Sequence, residues 1–485
     1  MCIAGLFIII IAWVGETAMD SAGKQGTKKL KILILSAPIG SGHRMAAQAL
    51  EEALSRLENT EVVQGNVFSF FPAVLGRLFL RSYETVLKFC PGLYAMSYRW
   101  GNQNSGSLRM RNFINSLLLG LGKSFIEKVK PDLVFSTHAT PTGIMSLYKE
   151  KYNPHIWLGV VVTDFTVHRW LVCNGVDAYF LADKKLANLV LPGSSLKNNE
   201  AETKAGPSFQ DKKASGDLHL GAVPQVFAYG IPVRRIFSEH RDTVALRRDL
   251  RKEFGWEEEA FVCLLVGGGG GMMPMEKILN VLVRITCEGE TAKDAGREES
   301  AGNAHSESIN GRNGATVSGG KRGQGLHVIA VTGHNDALRR KLENMASLVS
   351  KDKEMDKVTR IMGEGNFSLA VTGFTDEMPK LMQGADLVIT KGGGVSLAEC
   401  LACGADVTVY SPLPGQEKVN VAFVQKEYGV RIAEDTAQLA EIVKRVQALS
   451  ASERIRLQEC RKKEFGHPDA AEKIAEFTKN LHNIM

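Results

Sequence analysis

Short runs of aliphatic residues alternate with helical patterns along most of the chain. Five runs fall in the first half, at 31–37, 61–67, 132–138, 156–163 and 178–182. Five more fall in the second half, at 261–268, 327–333, 368–374, 386–393 and 406–412. Val/Ile/Leu runs separated by helices are typical of parallel sheets covered on both faces. The pattern predicts an α/β protein with two doubly wound, Rossmann-like domains facing each other across a cleft.

The alternation breaks at three places. An apolar leader and linker occupies 1–30, and its core, CIAGLFIIIIAWVG, is shorter than the roughly 20 residues of a spanning helix. A start at Met19 is the alternative interpretation. Residues 193–222 and 288–325 have few large apolar side chains, so we expect two insertions, the second disordered. The predicted units are therefore an N-terminal domain (31–235), a C-terminal domain (236–440) and helices that cross back (441–485).

Composition narrows the class of protein. With 485 residues, the chain is long enough for two domains with separate cores. A formal net charge of +6, dispersed along the chain, is too small to indicate a nucleic-acid partner. Cys400 and Cys403 form a C-x-x-C without the second pair that a zinc site requires, so we interpret them as small apolar residues of a helix.

Two glycine loops of the second half indicate phosphate binding. GGGGGMM (267–273) and KGGGVSLAEC (391–400) each follow a strand and precede a helix. Glycine lets a backbone approach phosphate closely, and free N–H groups at a helix start favour anions. A tight turn without a ligand is the alternative for either loop. The candidate residues are Gly268, Gly269, Gly393, Gly394 and Ser396.

A polar loop, SPLPGQEKVN (411–420), follows the next strand. It brings Gln416, Glu417 and Asn420 to the same sheet edge. A carboxylate accepts both hydrogens of a vicinal diol, so Glu417 suits a ribose, although a solvated loop is the alternative. The chain contains no D-x-D, the pair of acids that commonly holds a metal–diphosphate complex, so no active-site metal is expected.

The first half presents a histidine where a strand turns into a helix, in SAPIGSGHRMAAQAL (36–50). A dinucleotide fingerprint fails here because Met45 stands in place of the third glycine. His43, next to Gly42, therefore reaches the sheet edge with an imidazole that can accept a hydroxyl proton near neutral pH. The alternative is a histidine that caps its own helix.

Three further polar residues follow strands of the first half. Asp164, in VVTDFTVHRW, either orients His43 or acts as the base itself. His168 in the same motif, and His138 at the end of DLVFSTH, are weaker candidates that equally suit packing.

Residues 69–123 combine basic residues with aromatic and aliphatic ones. Arg77 and Arg81 are among the cations, and Glu84 is the only acid. Such a surface gains apolar insertion together with attraction to anionic lipid headgroups. We predict that this segment faces a membrane; helices with a solvated basic face are the alternative.

Taken in order, six motifs resemble the monogalactosyldiacylglycerol synthase and processive diacylglycerol glucosyltransferase family. The motifs are SAPIGSGHRMAAQAL, VVTDFTVHRW, LVGGGGGM, VTGFTDEMP, TKGGGVSLAEC and PLPGQEKVN. They run from about residue 31 to 440, and G-x-G-H-x-x-A-A and P-G-Q-E-x-x-N are the most specific. The family consists of two-domain GT-B glycosyltransferases related to the lipid II N-acetylglucosaminyltransferase.

The resemblance implies an enzyme that moves a hexose from UDP-galactose or UDP-glucose to diacylglycerol with inversion. His43 and Asp164 would be catalytic. The N-terminal domain would hold the acceptor and face the membrane, with His138, His168, Arg77 and Arg81 on that side. No cofactor would be needed, and the protein would be peripheral on the cytoplasmic face of the cell membrane.

The resemblance also implies how the C-terminal domain holds the UDP-sugar. The backbone around Phe374 would meet the uracil, and Glu417 the ribose. Gln416 and Asn420 would meet the diphosphate and the sugar. The remaining donor residues would be Gly42, Gly268, Gly269, Gly393, Gly394 and Ser396. Three consecutive glycines, where relatives often have proline or alanine, depart from the family pattern.

Three other functions remain open from the sequence. A polyprenyl-linked lipid is an alternative acceptor. A UDP-sugar 2-epimerase uses a similar scaffold but has no need of a basic lipid-facing segment. A non-catalytic nucleotide-sugar or lipid-binding protein is the third alternative.

Overall fold

A computed structural model describes residues 29–37, 41–67, 91–103, 105–191, 223–239, 242–271, 273–286, 325–347, 359–362 and 367–484. The leader up to residue 28, the stretches 192–222 and 287–324, Arg77 and Arg81 lie outside the described residues. The predictions made for them are therefore not addressed by the structure.

Six parallel strands form the N-terminal sheet, in the order β2-β1-β3-β4-β5-β6. The strands are β1 (Leu30–Ser36), β2 (Thr60–Asn66), β3 (Leu133–Ser136), β4 (Trp157–Val161), β5 (Ala178–Phe180) and β6 (Gln225–Phe227). The helices are α1 (Gly42–Leu54), α2 (Pro91–Gln103), α3 (Ser105–Val129) and α4 (Ala139–Lys151). Short 3₁₀ segments lie at Arg169–Leu171, Lys184–Leu189 and Arg235–Phe237. The first five strands coincide with the predicted runs, whereas β6, at the edge of the sheet, is partly exposed and has no continuous apolar run.

Seven strands form the C-terminal sheet, in the order β13-β12-β11-β7-β8-β10-β9. The strands are β7 (Phe261–Val266), β8 (Leu326–Val331), β9 (Thr359–Met362), β10 (Phe367–Thr372), β11 (Leu387–Thr390), β12 (Val407–Tyr410) and β13 (Arg431–Ala433). The helices between them are α5 (Thr243–Glu253), α6 (275–286), α7 (Asp336–Ser347), α8 (Met378–Gly384), α9 (Gly394–Ala402) and α10 (Gln416–Tyr428). The chain continues through α11 (Thr436–Gln447), α12 (Ala451–Phe465) and α13 (Ala470–His482). The predicted pair of doubly wound sheets is confirmed.

Strand β9 is the exception to parallel pairing. It runs antiparallel to β10 at the edge of the sheet. Only residues 363–366 connect the two strands, and a parallel pair needs a crossover of a dozen residues or more. The short connection therefore dictates the antiparallel edge.

The last helix packs on the N-terminal half. Ala471, Ile474 and Phe477 of α13 share a buried cluster with Ile32 of β1 and Leu50 of α1. The chain thus returns from the second sheet to the first, and burial of these side chains ties the halves together. The residue boundaries predicted for the domains stay a prediction.

Candidate functional site: a cleft between two sheets

The carboxyl ends of the two sheets enclose a cleft. A Cβ added to Gly42, at the start of α1, would lie 3.4 Å from Cγ2 of Val395, at the start of α9. The cleft has an empty volume of about 640 Å³, which includes open solvent. Predicted donor residues line it: Gly42, Gly268, Gly269, Phe374 and Ser396.

The first glycine loop folds tightly against α1. Gly268 and Gly271 have φ angles of +67° and +57°, which only glycine adopts without strain. The N–H of Gly269 donates to Oγ of Ser41 at 3.2 Å, and a Cβ on Gly269 would lie 2.5 Å from Cβ of Ser41. One backbone amide predicted to meet phosphate is thus bonded across the cleft.

The second glycine loop begins α9. Gly393 is the N-cap, and no side chain caps the helix, so its first N–H groups have no partner within the helix. Ser396 and Glu399, on the first turns, line the cleft. Burial raises the pKa of Glu399 to about 7, and nearby Arg234 partly opposes the shift.

An aromatic pair stands at the cleft wall. Phe374 is half exposed and stacks on His334 with ring centroids 4.7 Å apart and planes 6° from parallel. Close by, Nη1 of Arg234 donates to Oδ1 of Asp376 at 2.9 Å, while its buried Nε has no partner among the described residues. A flat apolar face beside a buried guanidinium suits a planar polar ring.

The predicted ribose carboxylate lies apart from the lining side chains of this cleft. Oε2 of Glu417 accepts the N–H of Leu413 at 3.1 Å, and Oε1 lies 3.6 Å from Nζ of Lys391. Lys391 in turn lies over the first glycine loop, since a Cβ on Gly268 would be 2.8 Å from its Cε. Glu399 is the glutamate that lines the cleft, so the assignment of the ribose to Glu417 stays a prediction.

The carboxylate of Asp164 is bound by two side chains of the C-terminal half. Its Oδ1 accepts Nδ2 of Asn420 at 2.7 Å, and its Oδ2 accepts Nε2 of Gln416. The next residue, Phe165, donates its N–H to Oδ1 of Asn420 at 2.9 Å. The structure therefore brings the predicted site residues Asp164, Gln416 and Asn420 together, and they hydrogen-bond to one another.

His43 has partners within the N-terminal half. Its Nδ1 lies 2.9 Å from the carbonyl oxygen of Thr137 and 2.8 Å from Oγ1 of Thr163. A carbonyl oxygen only accepts, so Nδ1 carries the hydrogen and Nε2 of the neutral ring is left as an acceptor. Burial lowers the pKa of His43, against opposing effects of Asp164 and the Thr137 carbonyl. The imidazole therefore does not cap α1, which has no side-chain cap.

The other two histidines cap helix α4 and the 3₁₀ segment Arg169–Leu171. Nδ1 of His138 accepts the N–H of Thr140 at the start of α4, and Nδ1 of His168 accepts that of Trp170, both at 3.2 Å. Burial lowers the pKa of both, that of His168 to about 4. His138 stands edge-on to His43, with ring centroids 4.8 Å apart. His138 is thus beside the candidate base, whereas His168 packs against Tyr98 and Trp170.

Sequence reasoning missed several residues that line the cleft or contact its candidate residues. They are Ser41, Thr163, Arg234 and Lys391. Lys391 could have been predicted from the sequence, because it is the last residue before a glycine loop at a strand end. The other three are ordinary polar residues whose role depends on which segments meet.

Comparison with known proteins finds similarity to the same family that the motifs resemble. Residues 43–201 match the monogalactosyldiacylglycerol synthase family model, and residues 315–474 match the glycosyltransferase family 28 C-terminal domain. The resemblance to these glycosyltransferases is confirmed. The two matches fall on different halves of the chain, one on each sheet.

Full-length relatives cover most of the chain. A processive diacylglycerol beta-glucosyltransferase of Bacillus licheniformis is 23% identical over 428 residues, 87% of either chain. Monogalactosyldiacylglycerol synthase 3 of Arabidopsis thaliana, a chloroplastic protein, is 22% identical over 413 residues, 83% of this chain and 71% of that protein. The crystal structure of Acinetobacter baumannii MurG superposes with a TM-score of 0.52 at 12% identity, over 92% of this chain and 99% of that one. The fold is GT-B, as predicted.

The described residues contain neither a membrane-spanning helix nor a cluster of metal ligands. Within them, no helix has the length and hydropathy needed to cross a membrane. Nor does that part of the chain bring three His, Cys, Asp or Glu side chains together in a way that would hold a metal ion.

Proposed function

We propose that the protein transfers a hexose from UDP-galactose or UDP-glucose to the free hydroxyl of diacylglycerol, with inversion at the anomeric carbon. The observation that carries the proposal is the cleft, where Ser41 and Gly42, which directly precede His43, stand next to glycine loops of the other sheet. The names of the relatives, a diacylglycerol glucosyltransferase and a monogalactosyldiacylglycerol synthase, support the choice of acceptor.

In the proposed reaction, the hydroxyl oxygen of diacylglycerol attacks the anomeric carbon of the sugar. The bond between that carbon and the diphosphate oxygen breaks, and UDP leaves with the electron pair. Nε2 of His43 takes the hydroxyl proton, because Nδ1 already donates to Thr137. The products are a β-glycosyl-diacylglycerol and UDP.

On the donor side, the proposed ligands of the diphosphate are protein groups without a metal. The start of α9 offers N–H groups from Gly394 to Ser396, and the helix dipole favours negative charge there. Lys391 adds a cation beside Gly268. Phe374 and its stacked partner His334 provide a flat surface for the uracil.

The test of this function is UDP release with each donor, with and without diacylglycerol in anionic vesicles. Release that depends on diacylglycerol is the expected result, and the faster donor identifies the sugar. Absence of lipid-dependent release with either donor would contradict the proposal and favour a polyprenyl acceptor. Turnover of UDP-N-acetylglucosamine without any acceptor would favour the 2-epimerase.

We propose a peripheral position on the cytoplasmic face of the membrane, and helix α3 supports the peripheral attachment. Five large apolar residues at positions i, i+3, i+4, i+7 and i+11 form one exposed face, which we call the α3 apolar face: Met110, Phe113, Ile114, Leu117 and Leu121. Phe113 and Leu117 are 72% and 64% exposed. The segment 91–129 carries five basic residues and one acidic residue. An exposed apolar stripe next to cations suits insertion into an anionic bilayer surface.

Aspartate substitution of Phe113 and Leu117 together is expected to weaken vesicle binding by roughly 100-fold or more. Burial of each side chain in lipid contributes about 1.5 kcal/mol or more, and the new charges are repelled by anionic headgroups. Co-sedimentation with anionic vesicles measures the change, while UDP binding in solution should stay as it is.

The matched control is Val244→Asp with Val283→Asp, which places the same charges at exposed apolar residues of α5 and α6. This control should bind vesicles like the parent protein at equal salt. Equal loss of binding in both double variants would show that net charge, and not the α3 apolar face, determines attachment.

A further inference from the structure

Asn420 is a buried connection between the two halves. It is only 1% exposed, and its hydrogen-bonding groups are all engaged. Nδ2 donates to Oδ1 of Asp164 at 2.7 Å and to the carbonyl of Gly392 at 3.4 Å, and Oδ1 accepts the N–H of Phe165 at 2.9 Å. A donor sugar would have to break these bonds before Asn420 could bind it.

Asp164 is enclosed from three directions. Asn420 and Gln416, both on α10, donate to its two oxygens. The start of α9 packs closely against the backbone of Thr163 and Asp164. A Cβ on Gly394 would lie 2.2 Å from the carbonyl oxygen of Thr163 and 2.8 Å from Cα of Asp164. The positive ends of two helices thus converge on one carboxylate. Because the two oxygens already bind the amides of α10, this is the geometry of a clamp.

The rest of α10 continues the contact with the N-terminal half. Phe165 stacks on Phe423 with ring centroids 6.1 Å apart and meets Tyr428 edge-on at 5.8 Å. The Tyr428 hydroxyl donates to Oδ2 of Asp183 at 2.8 Å. Asp164 therefore lies at the cleft end of a seam that runs the length of α10.

We propose that Asp164 is a positioning residue that clamps α10 against the N-terminal half and so holds Gln416 at the cleft, while His43 alone takes the proton. The inference rests on the proposed function for the role of Gln416, but the clamp itself is a property of the protein without substrate. The clamp depends on hydrogen-bond complementarity between residues 164 and 420. No step of the proposed transfer reaction requires a free carboxylate at 164.

Exchange of the two side chains tests the clamp. Asp164→Asn alone sets its new NH₂ group against the NH₂ of either Asn420 or Gln416, whichever way the amide turns. Asn420→Asp alone sets two carboxylates face to face. In the double variant D164N/N420D, the amide at 164 can donate to the carboxylate at 420 and still accept from Gln416. The carboxylate at 420 can still accept the N–H of Phe165.

Two measurements are made on each variant. Hydrogen–deuterium exchange of peptides covering 163–170 and 416–428 reports the clamp without any substrate. Lipid-dependent UDP release reports transfer. Each single variant should lose protection in both peptides and about 10- to 100-fold in transfer, and the double variant should recover both. Asp132→Asn, the same change at the opposite end of the N-terminal sheet, controls for loss of charge.

Recovery of both protection and transfer supports the clamp. Recovery of protection without transfer would overturn the proposal, because it would show that the carboxylate at 164 acts chemically. Normal protection in the single variants would also overturn it. If the parent protein transfers no sugar, the proposed function fails, and the exchange data still decide whether the clamp exists. Far-UV circular dichroism identifies any variant that has unfolded, and the D164E variant, which keeps the carboxylate but misplaces it, should then lose protection in a folded protein.

Discussion

Replacement of His43 by asparagine is expected to lower the rate of hexose transfer by about 10²- to 10⁴-fold, the usual contribution of a general base. The amide NH₂ of asparagine can still donate to the carbonyl of Thr137, which Nδ1 contacts in the parent protein. The variant therefore keeps the local structure and loses only Nε2. Rates of UDP release with saturating donor and acceptor, together with UDP affinity by calorimetry, separate the loss of chemistry from a loss of binding.

The role of His43 as the base also predicts how the transfer rate of the parent enzyme depends on pH. Burial lowers the pKa of His43 below its ordinary value of 6.5. The neutral imidazole is the base, so transfer should persist as the pH falls through 6.5 and decline only when the folded protein protonates His43. A profile of kcat/KM against pH should show this acid limb, and the asparagine variant should lack it.

His155→Ala is the control, since it removes an exposed imidazole at the far end of β4. It should retain the parent rate and the parent pH profile. Retention of more than about a tenth of the rate in the asparagine variant, or equal losses of rate and UDP affinity, would remove His43 from the role of base.

Alanine at Gly394 is expected to force the two halves apart. Its Cβ would lie 2.2 Å from the carbonyl oxygen of Thr163 and 2.8 Å from Oδ1 of Asp164, so backbone has to move. Overpacking of this kind costs about 1–3 kcal/mol, equivalent to roughly a 5- to 150-fold change in an equilibrium. Thermal unfolding should shift downward, and the peptide 163–170 should exchange faster.

Gly393→Ala is the neighbouring comparison. A Cβ there finds its nearest neighbour, Cε of Lys391, at 4.0 Å, which is ordinary van der Waals contact. The midpoint of unfolding and the exchange of 163–170 should therefore remain close to those of the parent protein. If both alanine variants unfold alike, helix propensity and not the contact with Thr163 explains the need for glycine.

The pattern of apolar runs and helices along the chain was sufficient to predict most of the architecture. Long Val/Ile/Leu runs, each followed by a helix, specify buried parallel strands whichever neighbours they acquire, so ten predicted strands and the GT-B fold are confirmed. The three strands that the pattern missed, β6, β9 and β13, lie at sheet edges. In β6 and β13, residues such as Gln225 and Arg431 remain exposed or half-exposed, so these strands lack the continuous apolar run of the buried strands.

The sequence alone placed His43, Asp164, Gln416 and Asn420 at strand ends, because a strand followed by glycine or a polar turn ends at a predictable edge of a sheet. Which of them contact each other depended on how two sheets come together, and local pattern carries no information about that distance. Only the tertiary structure showed that Asp164 binds Asn420 and Gln416. It also showed that Nδ1 of His43 contacts Thr137 and Thr163. These hydrogen bonds join residues some 90 to 260 positions apart in the chain. They therefore form only when distant segments are packed together in the folded protein.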